Sequence, residues 1–344
     1  MKRRQILASA AAVAFSIAVG GCASNDRDGA LILRVAGQNN DQHPNTTELR
    51  KMAETVETGT SGRVRMEIYP NNQLGDYTLM YDEIGQGTMH MGLISTPTNL
   101  DNRLEIQFLP YLFSTYDDID RYFTLDSVLG SQLREIHRKQ DIELLGLFAE
   151  GFGGIATSVP ATNPAKMGVD KDVVLRVPEI PITAGHTKAM GFSTVSMAYA
   201  DVYQGLQTGA VEGWTGGHPL VNYLQFKDVI SHYYQYNNMF EATHLLINRP
   251  TFQTLSSADQ QVLRDAGETL TKNSFEISSE AEVKYRKKMA DEGIEVVEFD
   301  EKELKGFAKH TQQNVWSILD DPGQVAMIKE LADEMGFDYS PPSS

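Results

Sequence analysis

Residues 257–291 contain no proline and a single glycine, Gly267; the next glycine is Gly293. Ser257, with Gln260 three residues on, reads as a capping box. Val262, Leu263, Ala266 and Leu270, then Ala281, Tyr285 and Met289, recur at helical spacing. An unbroken helix over this stretch would run ~50 Å at ~1.5 Å per residue. That exceeds one small lobe, so the helix would lie across two. The alternative is a pair of helices meeting at a kink.

The rest of the chain supplies two sets of α/β elements. Residues 31–35, 64–69 and 91–94 read as strands, and 46–58 and 77–84 as helices between them. Strand–helix–strand order predicts a mainly parallel sheet. Further on, 144–149, 173–177, 194–197, 228–236 and 244–248 read as strands, and 184–190 and 199–208 as helices. Parallel sheets bind ligands beyond the carboxyl ends of their strands, which makes 37–44 and 95–98 pocket candidates by position.

The first residues read as an export signal. Lys2, Arg3 and Arg4 precede an apolar run, 6–19, that is too short to span a bilayer. The Arg3-Arg4 pair is compatible with twin-arginine export as well as the general route. Cys22 follows Gly20-Gly21 and is the sole cysteine, so no disulfide forms within the chain. Its position predicts cleavage and lipid attachment at Cys22, with a short polar tether after it. The net charge of −16 argues against nucleic acid, which needs a basic face.

Enzyme signatures are absent. The sequence holds no G-x-S-x-G, H-E-x-x-H or G-x-x-x-x-G-K motif. Its eight histidines are scattered, none at i, i+4 ligand spacing. The expectation is a chain with no catalytic residue, no metal and no cofactor.

Several stretches carry a resemblance to one family. Val64-Arg65-Met66-Glu67-Ile68-Tyr69 leads into Pro70-Asn71-Asn72-Gln73-Leu74-Gly75, similar to a strand and "P-N-x-Q-L-G" turn. Phe108-Leu109-Pro110-Tyr111-Leu112-Phe113 resembles "L-P-F-L-F", and Leu175-Arg176-Val177-Pro178 resembles "I-R-V-P". Residues 201–213 resemble "E-V-Y-x-A-L-Q-T-G-V-V-D-G". In this order they resemble the solute-binding proteins of tripartite ATP-independent periplasmic (TRAP) transporters, the DctP family, over about residues 31–336. The resemblance implies an α/β, two-lobed periplasmic binding protein fold with a long helix spanning both lobes. It implies capture of a small organic acid and delivery to TRAP membrane permease subunits driven by an ion gradient. The same fold serving as a periplasmic ligand sensor is the alternative.

The expected division is a signal peptide with lipobox at 1–22, a tether at 23–30, lobe I at 31–150 plus about 242–280, and lobe II at 151–241 plus about 281–336. A flexible tail follows at 337–344. Location is expected in the periplasm, with membrane attachment through Cys22.

The resemblance places the family's ligand-gripping arginine on Arg176. A guanidinium fork matches a carboxylate with two parallel donors. Two departures narrow the ligand. Gly151-Phe152-Gly153-Gly154 lacks the arginine of the family's "G-F-R", and Glu212-Gly213-Trp214-Thr215-Gly216-Gly217-His218-Pro219 lacks the amide of "D-G-Q-E-N-P". One arginine suits a monocarboxylate better than a dicarboxylate, and the extra glycines leave room for a larger ligand. Trp214 would cover the ligand's apolar part or serve only the core. Tyr199 and Phe152 are expected at the pocket, with Thr215; Ser95, Thr96 and Asn40 are candidates by position at strand ends.

Overall fold

The computed structural model describes residues 29–341. The expected signal, Cys22 and all but the last two residues of the tether lie outside the described residues, as do 342–344. The described strands are β1 (Leu31–Gly37), β2 (Val64–Tyr69), β3 (Met91–Ile94), β4 (Ile142–Phe152), β5 (Ile155–Thr157), β6 (Val174–Val177), β7 (Ser193–Ser196), β8 (Gly213–Thr215), β9 (His232–Gln235), β10 (Phe240–Asn248) and β11 (Glu295–Glu298). They form two sheets, ordered β2-β1-β3-β10-β4 and β11-β9-β5-β8-β6-β7.

Both sheets are mixed. β1 pairs parallel with β2 and β3, as strand–helix–strand order demands, but β10 runs antiparallel to β3 and β4. In the second sheet β6 pairs parallel with β7 and β8, and β5 antiparallel with β8 and β9. The antiparallel strands are those that enter or leave a lobe. β4 runs through the first sheet and reaches β5 after only Gly153-Gly154. A Cβ on Gly154 would lie 2.4 Å from the Tyr234 carbonyl oxygen, so only glycine passes there. The return runs from β9 into β10.

The stretch without proline forms one unbroken helix, Ser257–Asp291. Its N-cap is Ser256, one residue before the expected position. The Ser256 hydroxyl accepts from the Asp259 backbone N–H. The helix lies along β4, the edge of the first sheet, and continues to Pro219–Val221 and β11 of the second lobe. Gly146 and Gly267 let the two backbones touch: a Cβ on Gly267 would sit 2.3 Å from the Leu145 carbonyl oxygen. Beyond them, the Leu147 and Ala149 N–H groups donate to the hydroxyls of Thr271 and Ser274, each at 2.9 Å. The helix thus closes an edge that would otherwise present unpaired donors.

One boundary differs from expectation. Residues up to 336 were expected in the second lobe, but the helix Pro322–Met335 packs on Val128–Lys139. Met327, Ile328 and Leu331 join Leu104, Leu129 and Leu133 in the core beside the first sheet. This apolar face returns the chain's end to lobe I.

Candidate functional site

A cavity of about 100 Å³ lies between the two sheets. At ~10–15 Å³ for each water position, it holds roughly seven to ten, the room of a small organic molecule. Its walls come from the carboxyl ends of parallel strands. Gln38 and Asn39 follow β1, Ser95 follows β3, Arg176 ends β6, and Trp214 and Thr215 end β8. The antiparallel pair adds Glu150 and Glu241–Thr243 at the same level.

Arg176 is 4% exposed. Its Nε donates to the Met197 carbonyl at 2.8 Å, which fixes the side chain and leaves the two terminal nitrogens for another partner. Among the described residues it forms no ion pair. Its carbon head stands 6.0 Å from the Tyr199 ring centroid. Burial pulls the guanidinium down from its ordinary value, with partial compensation from Tyr77, Tyr199, Asp76 and Glu241. A buried cation without a counter-charge is costly, and an anion in the cavity would relieve the cost.

The other expected residues divide. Tyr199 lines the cavity and donates its hydroxyl to Gln225 Oε1 at 3.0 Å. Trp214 both lines the cavity and belongs to the core: its ring lies 4.8 Å from Phe226 and its N–H donates to Asn222. Thr215 lines the cavity, and its buried hydroxyl has no partner among the described residues. Ser95 lines the cavity and exchanges two hydrogen bonds with Gln38.

Three expected residues stand elsewhere. Phe152 is packed between Tyr116 and Phe240, at 5.2 and 5.3 Å, in an aromatic core that excludes it from the cavity wall. Thr96 is fully buried and accepts from Gln107. Asn40 faces a neighbouring cleft with Asn71 and Asn72, and its side chain accepts from the Gln42 N–H. Nor do the extra glycines enlarge the cavity. A Cβ on Gly217 would lie 2.3 Å from the Trp214 ring, and one on Gly216 2.8 Å from the Glu241 carboxylate. They make room for the protein's own side chains.

Sequence reading missed two acids. Glu241 accepts from the Gly217 and His218 N–H groups, and burial pushes it up to about 7. Glu150 occupies an irregularity in the ladder: Ala149 pairs with Ala242 and Gly151 with Glu241, so Glu150 has no partner between them. Such a bulge re-aims a side chain. Burial pushes Glu150 up to about 8, against the pull of Thr243 and Asn45. No local pattern marks them, since β4 also carries Glu143 and β10 also carries Thr243, His244 and Asn248.

A profile of the family described as bacterial extracellular solute-binding protein, family 7 (DctP), matches residues 35–320. The chain belongs to this family, the solute-binding proteins of TRAP transporters, which bind their cargo without transforming it. It is 26% identical over 263 residues to a solute-binding protein of Roseobacter denitrificans, covering 75% of this chain and 79% of that one. The crystal structure of that TRAP protein, with bound L-galactonate, superposes with a TM-score of 0.74 at 23% identity, covering 86% and 98% of the two chains. A TRAP solute-binding protein from Desulfovibrio salexigens with bound orotic acid gives a TM-score of 0.78 at 17% identity, covering 89% and 98%.

Proposed function

We propose that the cavity captures a small organic monoanion, its carboxylate on Arg176, for delivery to the permease of a TRAP system. The observation that carries this reading is a buried guanidinium whose terminal nitrogens have no counter-ion among the described residues. Among the described residues lining the cavity, Arg176 is the one arginine, which fits a single carboxylate. L-Galactonate and orotic acid, bound by similar proteins, each present one such group. Hydroxyl-rich sugar acids suit the wall best, because Glu241, Glu150, Gln38 and Thr215 offer acceptors and donors away from the arginine.

Calorimetric titration with a panel of sugar acids and simpler monocarboxylates tests this. The best ligand should lose about 3–5 kcal/mol, several hundredfold or more, on Arg176→Ala. Arg176→Lys should recover only part, since it keeps charge and loses the fork. If both variants fold and bind within about threefold of wild type, Arg176 does not hold the anion.

Lipid attachment at Cys22 is a second part of the proposal and rests on the sequence alone. Cys22→Ala should release the protein from membranes without changing ligand affinity. Membrane association unaltered by the substitution would rule the anchor out.

A further inference from the structure

His43, Glu150 and His218 are remote in sequence and converge behind the cavity wall, exposed by 1%, 6% and 4%. One atom from each, a ring nitrogen or a carboxylate oxygen, lies within 4.8 Å of the other two. Glu150 uses its oxygens unequally. Oε1 accepts from Asn45 at 2.8 Å, Thr243 at 2.8 Å and Asn39 at 3.4 Å. Oε2 is sealed from solvent and makes no hydrogen bond among the described residues, and neither does His43 Nε2. Oε2 stands 3.5 Å from His43 Nε2 and 3.6 Å from His218 Nε2. Those gaps are too long for good hydrogen bonds. They match the edge of a tetrahedron, since donors ~2.0–2.2 Å from a metal lie about 3.3–3.6 Å apart.

We propose that His43, Glu150 and His218 bind one divalent transition-metal ion, of the zinc class, at the wall of the solute cavity. Two imidazoles and a carboxylate are a recurrent zinc donor set with one position left open. Glu150 and His218 also line the cavity, so the open position faces it and takes water or an oxygen of the solute. Burial holds both histidines well below their ordinary value, keeping them neutral as ligation requires. Asn45 supplies the outer support. Its amide nitrogen fixes Glu150 Oε1 at 2.8 Å. His43 Nδ1 also accepts from the Asn45 backbone N–H at 3.3 Å, capping the helix Pro44–Gly59. Ligation through Nε2 selects the tautomer whose Nδ1 carries a proton and cannot accept there, weakening that cap.

The test is titration of the chelator-treated chain with Zn2+ by calorimetry, with no organic acid present, so that its failure leaves the solute reading intact. The expected result is one ion per chain. Glu150→Gln and His218→Asn should each weaken binding by at least about tenfold while keeping a cooperative thermal transition. Co2+ should give the intense visible bands of a four- or five-coordinate ion in the wild type. Zn2+ binding that is absent, or equal in wild type and folded variants, overturns the proposal. Should the variants fail to fold, a Co2+ spectrum like that of the aqueous ion overturns it in the wild type alone, leaving a buried water or proton between these groups.

Discussion

Arg176 could be found from the sequence because a short motif surrounds it and its chemistry is carried by one side chain. Glu150, Glu241, His43 and His218 could not. Each acid lies outside the stretch that reads as a strand, 144–149 or 244–248, and the histidines meet only after the two sheets are assembled. The buried acids have a measurable consequence. Burial raises Glu150 to about 8 and Glu241 to about 7, from an ordinary 4.5. Above pH ~4.5 the folded chain keeps protons that the unfolded chain releases, so stability falls as pH rises towards those values. The buried His43, His137, His186, His218 and His244 act in the opposite sense. Held neutral by burial, they add stability up to pH ~6.5 and nothing beyond it. The interval from pH ~6.5 to about 8 therefore isolates the acids. Urea denaturation of metal-free, ligand-free protein should lose up to about 2 kcal/mol across it through Glu150. Glu150→Gln should flatten that slope. A slope unchanged by the substitution would mean that Glu150 is already ionised in the fold.

Among the elements, period and length made the long helix and strands such as β1, β2 and β10 legible. The strands β5, β8 and β11 are three or four residues long and carry too few positions to display an alternation. Sequence could not reveal how the helix Ser257–Asp291 is seated, because Gly267 reads there as a weak point. It is the point of closest approach. Gly267→Val would drive side-chain atoms into the Leu145 carbonyl and should cost about 1–3 kcal/mol or more in urea denaturation. Gly306, within the helix Glu301–Asn314, has open space around its Cβ position. Gly306→Ala should stabilise by about 0.4–1 kcal/mol, mostly by restricting the unfolded chain. Equal effects at the two glycines would remove the case for backbone contact at Gly267.

At the scale of the whole molecule, the two lobes are bridged in this conformation. Gln225 bridges the lobes, donating to Asn39 Oδ1 at 3.3 Å while accepting from Tyr199. Arg176 is 4% exposed, so solute entry is expected to part the lobes, and small-angle scattering should give a larger radius of gyration without ligand than at saturation. Identical radii would mean that entry needs no opening. Gln225→Ala should shift the ligand-free protein further towards the larger radius. The unbroken helix then acquires a mechanical role. One half is fastened to β4 through Thr271 and Ser274, and Met289 at the other end is buried in the core of the second lobe. Residues 275–288 between these anchors would span ~21 Å at ~1.5 Å per residue, with no glycine or proline to fold at. Rotation of the lobes must be absorbed there as gradual curvature, as in a leaf spring clamped at both ends. Its stiffness would then oppose displacement in either direction and set a resting gape, and the strength of cargo binding would be measured against that restoring force.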